Sequence, residues 1–229
     1  MGNYKSLMLG AGGQSLPDPE YIGSVSDPQD PGSSYKLSSG GGGLDVFGIS
    51  GVAVGDLVVI AFSFDHRSNS NYAYRQWAGM TITETQAGVG NTNPGFYLAY
   101  GFVQSGDTNP YLTSTSANYW KGMSAMASVF RGVTTLDESS WTTGSSGMPN
   151  TPTLGAGSRL YVRAGHLDDD VITSCSAPSG HNLANFATGI MGSYKSSTMI
   201  AYSFGGPTTG GQFGGNGSDY HAGTAMRFS

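Results

Sequence analysis

The eight residues Leu57–Phe64, LVVIAFSF, constrain the fold of this chain more than any other stretch. Nearly all of them are apolar, β-branched or aromatic, a Gly55-Asp56 turn signal precedes them, and polar residues follow. So short an apolar run between turn signals predicts a strand that is buried on both faces and central in its sheet. A buried helix is the alternative, but the β-branched centre of the run and the missing helix-capping pattern favour the strand.

The composition favours short strands joined by turns. Gly makes up 37 of the 229 residues, and only 11% of the residues are charged, whereas a typical soluble domain has about 25% charged residues. Gly and β-branched residues cost free energy in helices. A chain that replaces charge with Ser, Thr, Asn and Gly is more typical of extracellular, virion-surface and secreted structural proteins than of cytosolic enzymes.

Charge and hydropathy exclude two classes of partner. The net charge is −5, and Lys and Arg are scattered singly, so we expect no nucleic-acid partner, because phosphate binding needs clustered cations. No run approaches the length of a membrane-spanning helix, so we expect no membrane span. Cys175 is the single cysteine and is expected to be a small, buried or half-buried apolar residue. Without a disulfide framework or a signal sequence, the chain is expected to be made in a cytoplasm.

Residues 1–43 are predicted to form an extended N-terminal arm. Repeated Asp-Pro steps hold the backbone extended and oppose helix, and the four glycines 40–43 form a hinge. Tyr21–Val25 predicts one short strand within this segment. An arm of this kind is expected to be ordered only against its own domain or a neighbouring subunit, because ordering a free chain costs entropy.

A first β unit is predicted over residues 44–133. Besides the central strand, the patterns predict strands at Asp45–Ser50, Met80–Gln86, Phe96–Val103, Tyr111–Ser116 and Met123–Arg131. In the last strand the period-2 alternation places Met123, Ala125, Ala127 and Val129 on one face and Met126 and Phe130 on the other. A helix remains an alternative there. Residues 134–154 are predicted to be a linker rich in Ser, Thr and Gly.

Residues 155–229 echo the first unit. Gly157–Val162 matches Gly55–Ile60, Thr198–Phe204 matches Gly95–Phe102, and Tyr220–Phe228 matches Lys121–Phe130. The chain is therefore predicted to be all-β, with two similar β units in a jelly-roll-like β-sandwich. Whether the two units form one sandwich or two stays open.

The most suggestive chemical cluster is His166 with the acidic loop Asp168–Asp170. Carboxylates on a loop can bind Ca²⁺, but the EF-hand pattern is absent, and the competing interpretation is a solvated acidic loop. The Gly-x-Ser-x-Gly context of a serine hydrolase is also absent. We therefore predict no catalytic residue, no cofactor and no metal ligand. An enzyme acting on polysaccharide is the weakest alternative, with Asp65, Asp168 or Glu84 as its candidate residues.

Aromatic residues in or beside polar loops are the better candidates for contacts. The group consists of Tyr72, Tyr74, Trp77, Tyr119, Trp120, Trp141 and Tyr220. Such residues can stack on sugar rings or anchor protein interfaces, and the alternative is that they cap the open ends of the sandwich. Trp77, Trp120, Tyr72 and Tyr74 are predicted to contact a sugar or a partner.

The order of several segments resembles structural proteins of tailed phages. The segments are Val-Gly-Asp-Leu-Val-Val at 54–59, Trp-Ala-Gly-Met-Thr-Ile at 77–82, Phe-Tyr-Leu-Ala-Tyr-Gly-Phe-Val at 96–103, Ser-Gly-Asp-Thr at 105–108 and Ser-Val-Phe-Arg-Gly-Val at 128–133. The resemblance covers about residues 54–133, with a fainter echo to residue 229. It implies a non-enzymatic virion protein with a β-sandwich fold, of the tail-fibre, adhesin or capsid-decoration kind.

The same resemblance implies partners and a location. We expect several copies of the chain in a virion, made in the host cytoplasm, which contact one another and other virion proteins through the N-terminal arm. A host-surface glycan is a further candidate partner. The alternative hypothesis is a carbohydrate-binding β-sandwich module.

Overall fold

A computed structural model describes residues 16–28, 43–64, 75–87, 95–114, 123–191 and 193–229. Within these ranges the chain forms strands and one short 3-10 helix, Val46–Gly48. The strands of the first half are β1 (Glu20–Pro28), β2 (Leu57–Phe64), β3 (Arg75–Ala78), β4 (Thr83–Ala87), β5 (Gly95–Phe102), β6 (Tyr111–Ser114) and β7 (Ser124–Arg131). Those of the second half are β8 (Leu136–Gly144), β9 (Asn150–Thr151), β10 (Leu160–Asp168), β11 (Cys175–Ser176), β12 (Asn182–Met191), β13 (Tyr194–Phe204), β14 (Gly211–Gln212), β15 (Gly214–Gly215) and β16 (His221–Phe228).

Two antiparallel five-stranded sheets form the body of the molecule. The first has the order β1-β7-β2-β5-β4 and the second the order β12-β13-β10-β16-β8. Three two-stranded ribbons, β3–β6, β9–β14 and β11–β15, complete the described strands. The all-β sandwich prediction is confirmed. Its jelly-roll detail is not confirmed, since each large sheet takes all its strands from one half of the chain.

The two sheets have the same strand order. Reading the second sheet from its other edge gives the order β8-β16-β10-β13-β12. Each of these strands has a counterpart at the same place in β1-β7-β2-β5-β4, and the counterparts follow one another in the same order in the sequence. The pairing registers of the two sheets also agree, because each central strand starts with a leucine that pairs with a phenylalanine on both sides. Leu57 lies between Phe102 and Phe130, and Leu160 lies between Phe204 and Phe228. These pairs define which residues of the two halves are equivalent.

The equivalence corrects one of the sequence matches. Aligning Gly157–Val162 with Gly55–Ile60 sets Leu160 beside Val58, whereas the registers make Leu160 equivalent to Leu57. That match is wrong by one residue, which matters because a one-residue shift exchanges the two faces of a strand. The other two matches agree with the structure at their last residues, because Phe204 is equivalent to Phe102 and Phe228 to Phe130.

The main core lies between the two sheets. It takes alternate residues of the central strands, including Leu57, Val59 and Ala61 from β2 and Leu160 and Val162 from β10. All eight residues of β2 are buried, and β2 is the central strand of its sheet. The prediction of a strand buried on both faces is therefore confirmed.

A second core covers the outer face of the first sheet. The alternation in β7 places Met123, Ala125, Ala127 and Val129 in this outer core, while Met126 and Phe130 join the core between the sheets. The two predicted faces of this strand are confirmed, and the helical alternative is excluded. The outer core also contains Leu44, Val46 and Leu112, from the 3-10 region and the β3–β6 ribbon.

The strand expected at Asp45–Ser50 is wrong, because these residues surround the 3-10 helix. The Asp45 carboxylate accepts a hydrogen bond from the Gly48 amide at 3.1 Å and another from Asn109 Nδ2 at 2.9 Å. An aspartate that satisfies the amides of a first turn stabilises helical over extended backbone. Within the described part of the chain, no helix has the length and apolar content needed to cross a bilayer.

The structure differs from the linker expected at residues 134–154. Residues 136–144 form β8, which pairs with β16 at the edge of the second sheet, and residues 150 and 151 form β9. The Asp137 carboxylate accepts hydrogen bonds from the hydroxyls of Ser158 and, at 2.8 Å, Ser229. Side-chain bonds of this kind fix a Ser/Thr-rich segment that its composition alone would not order.

Part of the predicted N-terminal arm belongs to the first sheet. β1 contains the short strand expected at Tyr21–Val25 and pairs with β7 at the sheet edge. Just before it, the Arg159 guanidinium donates to the carbonyls of Leu16 and Pro17 at 3.3 and 2.5 Å. Residues 1–15 and 29–42 of the arm lie outside the described residues.

Candidate functional site

Trp77, one of the predicted contact residues, lies on β3 and is half-buried against the outer core of the first sheet. Its Nε1 donates to Glu84 Oε1 at 2.8 Å. Its ring meets Phe62 edge-on, with the centroids 5.7 Å apart. Trp77 therefore anchors the β3–β6 ribbon on the first sheet.

The other three predicted contact residues, Tyr72, Tyr74 and Trp120, lie outside the described residues. Tyr72 and Tyr74 precede β3 in the sequence, and Trp120 precedes β7. Their role as sugar or partner contacts stays a prediction.

The acidic loop that was weighed as an ion site is tied into its surroundings. Asp169 has a φ of 52°. The Asp170 carboxylate accepts from the Ser218 amide at 2.5 Å, and the Asp170 carbonyl accepts from the Ser197 hydroxyl at 2.6 Å. In the described ranges, no three His, Cys, Asp or Glu side chains are grouped so that they could hold a metal ion.

His166, which the sequence placed beside this loop, points into the core between the sheets. The side chain is fully buried, and its ring stacks on Phe96 with the centroids 5.7 Å apart. Burial lowers the pKa of His166 to about 3, so the imidazole is neutral at physiological pH. Neither ring nitrogen has a hydrogen-bond partner among the described residues. The structure thus assigns His166 to the core, away from solvent-accessible acid–base chemistry.

A cluster of buried hydroxyls lies across the ladder from His166. His166 is the register partner of Thr198, whose hydroxyl is 2.6 Å from those of Ser63 and Ser124. Ser196 Oγ lies 3.1 Å from Ser63 Oγ. These hydroxyls come from both sheets and satisfy one another, so they join the sheets through a closed polar cluster.

Two other groups with chemical potential are also used internally. Burial raises the pKa of Cys175 to about 12, which leaves a thiol that is a poor nucleophile. Arg163 is fully buried, and its guanidinium donates to the carbonyls of Thr208 and Thr209 at 2.9 and 3.1 Å and to that of Pro152. Carbonyl oxygens thus surround this cation, which fastens loops onto the outer face of the second sheet.

Of the candidate residues for an enzyme, the two that the structure describes, Glu84 and Asp168, lie on different sheets. Glu84 lies on β4 at the edge of the first sheet and bonds Trp77. Asp168 ends β10 in the second sheet. Asp65 lies outside the described residues.

A cleft of about 370 Å³ opens on one lateral side of the sandwich, where β4 of the first sheet faces the start of β8 of the second. We refer to it as the lateral cleft. The described residues that line it are all uncharged and combine hydroxyl, amide and aromatic groups: Thr81, Thr83, Tyr100, Gly101, Phe102, Gln104, Thr134, Thr135 and Leu136. A cleft of this size is within the range of small-ligand sites.

Neighbouring elements hold the walls of the lateral cleft in place. Tyr100 and Phe102 lie on the inward face of β5, and the Tyr100 ring meets Phe228 of the opposite sheet edge-on, with the centroids 5.6 Å apart. The amides of Thr134 and Thr135 both donate to the carbonyl of Ser229, at 2.6 and 3.1 Å. The walls are therefore built on paired strands and on a hydrogen-bonded turn.

The opposite lateral side, where β1 faces β12, is closed. Tyr21 pairs with Phe130, and Leu136 pairs with Phe228. Because Phe130 and Phe228 are equivalent, Tyr21 and Leu136 are equivalent as well. The Tyr21 ring stacks on Tyr202 with the centroids 4.7 Å apart, and its hydroxyl donates to the Ala184 carbonyl at 3.4 Å. Tyr202 is the equivalent of Tyr100. The lateral cleft thus lies at the place that corresponds to the Tyr21 ring on the closed side.

Trp141 lies farther along β8 and is 51% exposed. It pairs with Thr224, so it lies on the same face of the second sheet as Leu136. The sequence placed Trp141 among loop aromatics, but did not indicate the other residues of the lateral cleft. No local pattern could have done so, because the cleft depends on which strands become sheet edges.

The lateral cleft is the candidate site on the grounds of geometry and chemistry. The cleft offers aromatic faces and neutral hydrogen-bonding groups, which suit binding better than bond-making chemistry. Comparisons with models of known protein families, with curated protein sequences and with solved structures give no match.

Proposed function

We propose that this chain is a non-enzymatic structural protein of a tailed-phage virion, exposed on the particle as a decoration or as a tail-fibre or adhesin component. It is made in the host cytoplasm and packs beside copies of itself and other virion proteins. The resemblance of residues 54–133 supports the phage context. The observation that carries the assembly role is the character of one sheet edge.

That edge is β12, the ten-residue strand Asn182–Met191, which carries no charged side chain. Among the described strands, β12 is hydrogen-bonded to β13 on one side and ends the sheet on the other. Natural sheets protect their edges with charges, proline or bulges. β12 has a bulge between Leu183 and Asn185, beyond which its pairing runs regularly to Met191. The Ala184 carbonyl near the bulge already accepts from the hydroxyls of Tyr21 and Ser24. The regular, uncharged part of the edge beyond it favours pairing with a second chain.

The chemically capable groups support a non-enzymatic role. The imidazole of His166 is enclosed in the core, and burial keeps Cys175 as a thiol. Carbonyl oxygens surround the Arg163 guanidinium. Each of these groups serves packing or hydrogen bonding between segments of the chain.

The test is the mass of the purified protein in solution, measured by light scattering. Ile190→Glu places a charge on β12 opposite Lys195, an arrangement that cross-strand pairing tolerates. We expect a defined oligomer for the full chain and a shift toward monomer for Ile190→Glu. Ser139→Glu, on the exposed edge strand β8, is the matched control and should keep the oligomer. A full chain that is monomeric at every concentration contradicts the assembly role.

The same measurement tests the N-terminal arm when residues 1–15 are deleted. The deletion stops there because β1 belongs to the first sheet, and a cut at residue 43 would remove a paired strand. If the arm joins neighbours, the shortened chain is monomeric. If the shortened chain keeps its oligomer, the arm is not the joining element.

The second candidate function is a carbohydrate-binding module, and the neutral lateral cleft is the observation that favours it. A glycan array tests this directly, and an array without hits counts against it. Trp77→Ala and Trp120→Ala test the aromatic residues predicted from the sequence. Because Trp77 bonds Glu84 and packs on Phe62, its variant needs an unfolding curve beside the binding data.

A further inference from the structure

We propose that the lateral cleft binds one six-membered ring of a neutral glycan, stacked on the aromatic face of Tyr100. This inference rests on the carbohydrate-binding candidate and names its site and its class of ligand. Three observations carry it: the equivalent place on the closed side, the chemistry of the walls and the support behind them.

The closed side shows that the equivalent place accommodates a six-membered ring. There, the phenol ring of Tyr21 stacks on Tyr202 at a centroid distance of 4.7 Å and an interplanar angle of 19°. On the open side Tyr100 replaces Tyr202, and the shorter Leu136 replaces Tyr21. A pyranose ring is close to a phenol ring in size, so it fits the volume that the missing phenol leaves.

The walls favour a neutral sugar over an anionic or a purely apolar ligand. The C–H groups on one face of a pyranose pack on an aromatic ring, for which Tyr100 and Phe102 are available. The hydroxyls of Thr83 and Thr135 and the amide of Gln104 match the donors and acceptors of a sugar rim. The described lining is uncharged, so it offers no ion pair to a carboxylated or sulfated sugar.

The walls are pre-organised, which lowers the entropy cost of binding. Phe228 supports the Tyr100 ring edge-on from the opposite sheet. The Ser229 carbonyl fixes the Thr134–Thr135 turn. The Asp107 carboxylate accepts a hydrogen bond from the backbone amide of Gln104 at 2.8 Å. A sugar entering the cleft would meet a supported Tyr100 ring and backbone that is already hydrogen-bonded.

The experiment is a titration of the full chain with the methyl glycosides of glucose, galactose, mannose and N-acetylglucosamine, followed by NMR, with methyl sialoside as the anionic comparator. The decisive variant is Leu136→Tyr, which puts into the cleft the ring that Tyr21 supplies on the closed side. Tyr100→Leu removes the stacking surface. Thr143→Tyr adds the same ring at an exposed position seven residues farther along the same strand, outside the cleft lining, and is the matched control.

We expect at least one neutral glycoside to bind the wild-type chain and Thr143→Tyr alike, and the sialoside not to bind. Leu136→Tyr and Tyr100→Leu should each weaken that binding about tenfold or more, as the loss of stacking on one ring predicts. Unfolding curves establish that each variant is folded. If Tyr100→Leu does not fold, Leu136→Tyr decides alone.

Three results would overturn the inference. Sugar binding that survives Leu136→Tyr places the sugar elsewhere and leaves the carbohydrate-binding function standing. An absence of binding to every glycoside and on a glycan array removes both the site and the function. An oligomer that Leu136→Tyr dissociates, with no sugar bound by the wild type, identifies the cleft as a contact between copies.

Discussion

The two lateral sides of the sandwich are built from equivalent strands but differ in how they are filled. On the closed side β1 faces β12, and Tyr21 reaches across to stack on Tyr202 and to bond the Ala184 carbonyl. On the open side β8 faces β4, and Leu136 leaves the lateral cleft beside Tyr100. The same strand order thus produces a sealed edge in one place and a cleft in the other. Leu136 is shorter than its equivalent Tyr21, and β4 is half as long as β12, so less of the open side is filled.

The same comparison extends into the core. Ser63 and His166 are equivalent, as each lies six residues beyond the leucine that starts its central strand, and so are Thr198 and Phe96. Ser63 and Thr198 share a hydrogen bond of 2.6 Å, whereas His166 and Phe96 stack their rings. One pair satisfies its polar atoms internally, and the other holds an imidazole without a hydrogen-bond partner among the described residues. The two pairs should respond differently to acid, because only the imidazole of His166 can take up a proton.

The largest predicted effect is acid destabilisation through His166. Its pKa is about 3 in the folded chain and about 6.5 when unfolded. Between these values the unfolded chain binds a proton that the folded chain does not, so stability is full above about pH 6.5 and falls as the pH drops. At pH 4.5 this one group should cost about 3 kcal/mol of unfolding free energy relative to pH 7. Urea unfolding at both pH values measures it.

His166→Phe is the matched variant, because it keeps a ring on Phe96 and removes the titration. Its loss of stability between pH 7 and pH 4.5 should be smaller than that of the wild type by about 3 kcal/mol. At pH 7 its free energy of unfolding should lie within about 1 kcal/mol of the wild type, because a phenyl ring replaces the imidazole in the same packing. Burial lowers the pKa of His181 as well, so part of the acid sensitivity should remain. Equal acid losses in both chains would contradict the assignment.

The next effect concerns the closed side. Tyr21→Ala removes the stack on Tyr202 and the bond to Ala184, and because the side chain is half-buried it should lower the free energy of unfolding by about 2 kcal/mol. The equivalent change on the open side, Leu136→Ala, removes a smaller, half-buried side chain beside existing space, and should cost roughly 1 kcal/mol. Urea unfolding of both variants compares the two sides directly. Equal losses would show that the sides are packed alike.

A smaller effect is expected when the open side is made to resemble the closed one. Leu136→Tyr fills the lateral cleft with a ring that meets Tyr100, so the unfolding free energy should rise, by less than about 1 kcal/mol. The thermal midpoint measures this change. A loss of more than about 1 kcal/mol would mean that the space cannot accept a ring.

The smallest effect is expected at Trp141. The side chain is 51% exposed on β8, and Trp141→Ser should change the unfolding free energy by no more than about 0.5 kcal/mol. This result would show that the tryptophan is dispensable for folding and is available for contacts. A large loss of stability would instead make it part of the packing.

The strands were the part of the fold that the sequence could predict. The apolar run Leu57–Phe64 and the alternation in β7 identify strands and their faces. They do so because successive side chains of a strand point to opposite faces, and the sequence shows which of these faces are apolar. The echo between the two halves was also visible. The one-residue error at Leu160 arose because Gly-turn positions were aligned in place of inward-facing residues.

The open side could not be predicted from the sequence in the same way. Leu136 becomes a cleft residue only because β8 takes an edge position, and Thr135 lines the cleft because Ser229, at the other end of the second unit, bonds its amide. Both relations join residues far apart in the chain. The aromatic residues beside polar loops indicate Trp77, which packs on Phe62 in the structure. They do not indicate Tyr100, which lies within an apolar strand and lines the lateral cleft.

The most direct test of the account is a map of amide chemical-shift changes during titration of the full chain with the neutral glycoside that binds. We predict that the changes centre on the open side, at Thr83, Gly101 and Thr135, and leave Tyr21 and Ala184 on the closed side unchanged. Changes that centre on the closed side, or on the segments that carry Tyr72 and Trp120, would contradict the account.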